Sequence, residues 1–285
     1  MTINQIGEDI MKINGYKSIV TGGATGIGLA TVKRLLEQGC TVTIWDLQET
    51  ALKDAEKELL DWKDKLFFHQ CDVTDRKKVY ELADRAVSEM GRIDILVNNA
   101  GIVMPGYFHE TDDERHVRTY DVNIISMVYT INSILPRMYE QNSGVIVNLS
   151  SAAGVIGISG MASYSASKWA VMGLTEGLRH EAKNMKKKVR FVSIHPSYVA
   201  KGLFEGAKMR GLGNIVTPRV KSHDVIAKAI VNSGIRREKN VVYRPRSVRL
   251  AVMLRGILPD KLFFAMVRSL NVHDSMDSWT GRNNG

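Results

Sequence analysis

Cysteine is nearly missing from these 285 residues, Cys40 and Cys71 being the whole complement. Two thiols cannot build a disulfide framework or a cysteine-ligated zinc centre, and no metal site is expected. So few cysteines fit a reducing compartment, the cytoplasm. Low-complexity tracts are absent, which with a normal apolar fraction excludes a disordered chain. The first residues carry Glu8 and Asp9 and lack an apolar run of ~7–15, so no secretory leader is expected. A bilayer-spanning run is missing too. In the apolar tail 247–270 the longest uncharged run is 262–267, far short of the ~20 residues a span requires.

What is present describes a globular chain, 44% hydrophobic and 24% charged. At this length roughly three-quarters of the unfolded surface can be buried, enough for a core without covalent staples. The net charge of +9 is unevenly placed. Residues 1–182 carry 18 basic and 24 acidic side chains, whereas residues 183–285 carry 21 and 6. Such a basic C-terminal third is either a solvated face or a surface for an anionic partner. Nucleic acid is not the expected partner, because no recognisable binding module accompanies the charge.

Short β-branched runs at 17–21, 41–46, 65–69, 93–97, 144–149 and 189–194 are nearly continuous in apolar character, as strands covered on both faces are. A weaker seventh run lies at 241–243. Amphipathic patterns at 27–38, 49–61, 75–90, 112–140, 162–184 and 223–234 alternate with them. This alternation predicts an α/β fold: a single-domain, Rossmann-type, doubly wound parallel sheet with helices on both faces. Right-handed crossovers then bring the carboxyl ends of the strands to one crevice. Residues 1–15 read as an N-terminal extension, 16–245 as the α/β unit and 246–285 as a basic, apolar tail.

Directly after the first strand, residues 21–28 read TGGATGIG and run into a helix. Glycines at 22, 26 and 28 allow a sharp turn and close backbone approach to a ligand. The helix beyond them offers unpaired N–H groups and a positive dipole end to a pyrophosphate, with Thr25 and Ile27 in the same loop. Asp46 closes the second strand eighteen residues later, where a carboxylate accepts from both hydroxyls of an adenosine ribose. It also repels a 2′-phosphate, and the glycine loop holds no Arg or Lys to offset it, so NAD is favoured over NADP. Asp72 and Val73 follow the third strand and face the adenine. Asn99 and Gly101, in NNAG at 98–101, suit close packing beneath a ribose.

Tyr164 and Lys168, in YSASK, share one helical face. Ser151, at the end of the fifth strand, precedes Tyr164 by thirteen residues, enough for a loop to return both to one crevice. With these pieces assembled, the chain resembles the short-chain dehydrogenase/reductase superfamily. The correspondence covers residues 16–199 through TGGATGIG, Asp46, CDV at 71–73, NNAG, Asn123, NLSS at 148–151 and YSASK. The resemblance implies that Tyr164 is the general acid/base, Ser151 holds the substrate oxygen and Asn123 holds a water that relays protons to Lys168. It also implies that Lys168 binds the nicotinamide ribose and that a homodimer or homotetramer forms. A phenol must fall by roughly 3 pH units from ~10 to work near neutrality, and Lys168 with a positive nicotinamide is expected to supply that.

The pattern departs from the superfamily at 195–201, HPSYVAK, where Ser197 replaces a usual glycine and Lys201 a usual threonine. Val199 keeps its place beside the carboxamide. Residues 200–217 fall where a substrate lid is placed, and Leu203, Phe204, Met209, Leu212 and Ile215 either close over a lipophilic substrate or pack the lid down. Ile156, Ile158 and Met161 line the same pocket. The tail is either a packed helix pair or an amphipathic element for an anionic membrane surface. Its Ser275-Met276-Asp277 and Gly281-Arg282 pieces resemble relatives acting on lipid-like alcohols. Hydride transfer between nicotinamide and a hydroxyl or carbonyl carbon of a steroid, retinoid or long-chain substrate is therefore the expected activity. A nucleotide-sugar epimerase or dehydratase, and a non-catalytic, membrane-associated cofactor binder, are the alternatives.

Overall fold

The computed structural model describes residues 10–199, 202–203 and 219–269. Seven parallel strands form one sheet in the order β3-β2-β1-β4-β5-β6-β7. They are β1 Lys17–Thr21, β2 Thr41–Asp46, β3 Leu66–Gln70, β4 Ile95–Asn98, β5 Gly144–Leu149, β6 Val189–Pro196 and β7 Val241–Arg244. The chain order reverses between β1 and β4, which pair through Ser18–Ile95, Ile19–Leu96 and Val20–Val97. At that reversal the loops after β1 and β4 splay apart and leave a crevice at the strands' carboxyl ends.

Both faces of the sheet are covered, which explains the continuous apolar runs. Val20, Ile44, Val97, Val147 and Val192 pack into one buried layer. Their neighbours Ile19, Trp45, Leu96, Ile146 and Phe191 pack into the other. Alternate residues of one strand thus enter opposite layers, the period of two that a pleated strand imposes.

The helices are α1 Gly26–Glu37, α2 Glu49–Glu58, α3 Arg76–Met90, α4 Asp113–Tyr120, α5 Ser126–Glu140, α6 Ala162–Asn184 and α7 His223–Lys228. The expected 49–61 helix stops at Glu58 and tightens into a 3₁₀ segment, Leu60–Lys65. The expected 112–140 helix contains a π-helical turn, Asp121–Ile125, between α4 and α5. Its periodicity spans the whole stretch, so the extra residue that widens this turn left no mark in the pattern. The weak run at 241–243 is β7, paired in parallel with β6.

Two short helices, α8 Val248–Ile257 and α9 Asp260–Ser269, follow β7 as a hairpin. One face of this helix pair is buried in the cluster around Tyr164 and the other is exposed. Most of the expected lid, residues 204–217 with 200 and 201, lies outside the described residues, as do 1–9 and both motif pieces of the tail. Among the described residues no helix is long and apolar enough to cross a membrane.

Candidate active site

The glycine loop is built for close approach. Gly22 and Gly26 have φ of +60° and +59°, a region that favours glycine. A Cβ on Gly28 would lie 1.9 Å from the Gly22 carbonyl oxygen, so position 28 admits no side chain. Thr25 makes no side-chain cap to α1, and no acidic residue stands in the helix's first turn. The N–H groups there face the crevice without a built-in anion, the condition an anionic ligand requires. These residues therefore fit a dinucleotide pyrophosphate.

Asn99 braces the loop from β4. Its amide nitrogen donates to the carbonyls of Thr21 (3.0 Å) and Gly22 (2.9 Å), and its backbone N–H donates to Thr21 Oγ1 at 3.0 Å. Asp46 is nearly buried at the end of β2; its Oδ2 accepts from Ala24 N at 3.0 Å and its Oδ1 from Gln48 N at 3.2 Å. Its carboxylate is thereby aimed beside the glycine loop. Asp72, Val73, Gly101 and Val199 line the same cleft, together with Gly22, Thr25, Gly26 and Ile27.

Asp72 Oδ1 accepts from Thr74 N and Oγ1, and Oδ2 from Arg118 Nη2 at 3.1 Å. Partial burial works against ionisation there, but the hydrogen bonds from Thr74 and Arg118 prevail and hold the carboxyl below its ordinary range. Sequence reading missed Arg118. It stands forty-six residues from Asp72, and only the seating of α4 over the cleft joins them.

Ser151, Tyr164 and Lys168 meet where this cleft reaches β5 and α6. Ser151 Oγ accepts from Ala153 N at 3.1 Å, capping a 3₁₀ turn, Ala152–Gly154, and is hydrogen-bonded to the Tyr164 hydroxyl. Lys168 Nζ donates to the Leu149 carbonyl at 3.0 Å and stands 5.7 Å from the centre of the Tyr164 ring. Gly101 faces the same group: a Cβ there would lie 3.4 Å from that ammonium and 3.1 Å from Asn123 Oδ1, the tighter of the two approaches.

Burial dominates the electrostatics of the pair. It pushes Tyr164 well above its ordinary value, and the Ser151 hydrogen bond offsets only part of this. Lys168 is itself pushed down to about 8 by burial. Desolvation disfavours the charged form of both groups.

Asn123 sits in the π-helical turn rather than in a regular helix. Its side chain accepts from Ile102 N at 2.8 Å and donates to Ile102 O and Ser167 Oγ. The amide thus ties the loop after β4 to the Tyr164 helix. Pro196 and Ser197 also line the cleft, and Ser197 Oγ is buried without a hydrogen-bond partner among the described residues.

Beside Tyr164 lies an apolar cluster. Val103, Ala153, Ile158, Met161, Phe263 and Val267 are buried in it with the tyrosine, and Ile156, Tyr198, Leu203, Leu254, Leu258 and Met266 pack against it. A serine, a tyrosine and a lysine where a dinucleotide cradle meets an apolar cluster can hold an oxygen, move its proton and exclude water.

A model of the short chain dehydrogenase family matches residues 17–209. The chain belongs to that family. Short-chain dehydrogenase/reductase family 16C member 6 of Bos taurus is 30% identical over 272 residues, covering 95% of this chain and 85% of the relative. Epidermal retinol dehydrogenase 2 of Mus musculus is 28% identical, covering 95% and 87%. A crystal structure of a short-chain dehydrogenase/reductase from Burkholderia phymatum in complex with NAD superposes with a TM-score of 0.76 at 24% identity, covering 87% of this chain and 95% of that one. The protein is accordingly an oxidoreductase of the short-chain dehydrogenase family, acting with a nicotinamide dinucleotide on a CH–OH group or its carbonyl.

Proposed function

We propose that this dehydrogenase uses NAD and acts on a lipophilic alcohol or ketone of the retinoid, steroid or long-chain class. The observation that carries this reading is the junction at Tyr164, which belongs both to the dinucleotide cleft and to the apolar cluster. The retinol dehydrogenase among its relatives supports the substrate class. Asp46 supports NAD, since a carboxylate at the ribose repels a 2′-phosphate.

Gly22, Thr25, Gly26, Ile27, Gly28, Asp46, Asp72, Val73, Asn99, Gly101 and Val199 hold the dinucleotide. When bound, its nicotinamide supplies the hydride acceptor or donor and, oxidised, a positive charge. Ser151 orients the substrate oxygen, and Tyr164 exchanges a proton with it. Lys168, beside the ring, holds the ribose and carries charge that favours the phenolate. Asn123, which fixes Ile102 and Ser167 around them, holds a water that relays protons to Lys168. Residues 16–245 form the catalytic unit, with 200–217 over the substrate and 246–285 as its tail.

A homodimer is supported by the small exposed residues Ala162, Ala166, Ala170, Gly173 and Gly177 along α6, beside exposed Val117 and Ile125. Such a stripe lets two helices approach closely. Cys40 and Cys71 are free and buried, consistent with the cytoplasm. The outer face of the α8–α9 hairpin exposes Leu250, Met253, Ile257, Leu262 and Phe264 among Arg249, Lys261 and Arg268. Apolar groups ringed by cations fit peripheral contact with an anionic membrane. Co-sedimentation with vesicles holding phosphatidylserine, and none with neutral vesicles, is expected; no binding to either overturns the membrane contact.

The decisive experiment offers NAD and NADP with retinol, a steroid alcohol, a long-chain alcohol and a short alcohol. Turnover with NAD on one of the lipophilic three is expected. Tyr164→Phe should lower kcat by roughly 10²–10⁴-fold and leave NADH affinity nearly unchanged by fluorescence titration. Full activity of that variant, or turnover confined to short alcohols, sinks the reading.

A further inference from the structure

We infer that Arg255 is a positioning residue that seats the α8–α9 hairpin as the outer wall of the substrate chamber. The inference deepens the proposed function and rests on the chamber being where the lipophilic part of the substrate lies. Arg255 lies beyond residues 17–209, the stretch that matches the family.

The guanidinium joins four separate pieces of the chain. From α8, Arg255 Nη1 donates to the Val155 carbonyl at 2.7 Å. That carbonyl directly follows the 3₁₀ turn that Ser151 caps. The same guanidinium lies over the Trp169 ring of α6 at 4.5 Å, one residue past Lys168, and 5.6 Å from the Phe263 ring of α9. Arg255 therefore ties the hairpin both to the loop bearing Ser151 and to the helix bearing Tyr164.

The hairpin's inner face supplies Leu254, Leu258, Phe263, Met266 and Val267 to the cluster that includes Tyr164. Tyr164 and Leu203 belong to that cluster and to the dinucleotide cleft alike, so the cluster meets the cleft at these two residues. No residue of the hairpin lines the cleft itself. Loosening the hairpin consequently removes a wall from the substrate side and leaves the cofactor side intact.

Arginine suits this place in a way lysine does not. A planar fork can donate to a carbonyl while its face lies on an aromatic ring; an ammonium is a point charge. Ser151 is also held independently of the clasp. Ser150 N donates to the Ile194 carbonyl at 2.8 Å, and Ser150 Oγ donates to the Lys168 carbonyl at 2.8 Å. Loss of Arg255 therefore reaches substrate binding before it reaches the chemistry. A chamber whose closed form is less populated binds its ligand more weakly in proportion.

The test compares Arg255→Ala, Arg255→Lys and the unaltered full chain, using retinol and a short water-soluble secondary alcohol with NAD. For Arg255→Ala, KM for the long alcohol should rise about tenfold, equivalent to about 1.4 kcal/mol. KM for the short alcohol, kcat and the NADH dissociation constant should stay within about twofold, and Arg255→Lys should fall between. Amide exchange over residues 248–269 should accelerate in Arg255→Ala. An unchanged KM for the long alcohol, an equal rise for both alcohols, or weakened NADH binding overturns the inference. If the unaltered protein oxidises no alcohol, the proposed function fails, and exchange alone decides the clasp: acceleration upholds the seating of the hairpin and unaltered exchange refutes it.

Discussion

The dinucleotide cradle and the C-terminal hairpin flank the same tyrosine, yet they are built by opposite means. In the cradle, backbone does the recognising: two glycines at positive φ, a third with no room for a Cβ, and an asparagine tying two loops through carbonyl groups. Each of these depends on residue identity at a fixed place, because one methyl group collides with backbone. In the hairpin, apolar side chains of ordinary kind fill a space beside Met161 and Tyr164, and a single arginine holds them there. A shape set by backbone tolerates few residues, whereas a shape set by packing tolerates any set of similar volume.

The sharpest way to break this contrast is Gly28→Ala. The added methyl would meet the Gly22 carbonyl and the Asn99 amide, so the loop must open. NADH affinity by fluorescence titration should fall by roughly 100-fold, about 3 kcal/mol, while circular dichroism still reports a folded α/β protein. Retained affinity would show that the close approach is not needed.

Asp46→Ala probes the one cradle residue whose role is charge rather than shape. The ratio of kcat/KM for NAD to that for NADP should drop by roughly 10-fold; an unaltered ratio places the ribose elsewhere.

A third prediction carries the contrast beneath the site. His195 is fully buried in β6 between Ser193 Oγ (3.0 Å) and the Ser151 carbonyl (3.4 Å), and burial pushes it down to about 4. Between pH 6.5 and 4 the unfolded chain takes up a proton that the folded chain refuses, so stability falls as pH drops through that window. The full effect is about 3 kcal/mol. Urea unfolding across this range should show the decline in the unaltered protein, and His195→Gln should flatten it. An identical slope in the variant assigns the decline to other groups.

Most of the sheet was legible because its strands are covered on both faces, so apolar character persists along each run. Boundaries shifted by a residue or two: 93–94 read as strand and β4 begins at Ile95, although Asp94 N still donates to the Lys17 carbonyl and its own carbonyl accepts from Val145 N. Of the site, residues within motifs were found, since each lies a short, fixed distance from a turn or strand end. Arg118 and Arg255 were not. Their partners, Asp72 and Val155, stand 46 and 100 residues away, and nothing local marks either arginine. The cost of burying Tyr164 and Lys168 was not legible either, because it depends on what covers them.

The linear chain by itself determined the α/β alternation, the glycine turn, the acidic end of β2 and the Tyr164–Lys168 pair. All of these follow from steric rules acting over a few residues. Tertiary structure alone decided that a π-helical turn aims Asn123 at the loop after β4. It alone decided that burial raises the Tyr164 phenol, and that a basic, motif-free hairpin walls the substrate side. Those outcomes depend on which distant surfaces exclude water from one another, a quantity that no local spacing encodes.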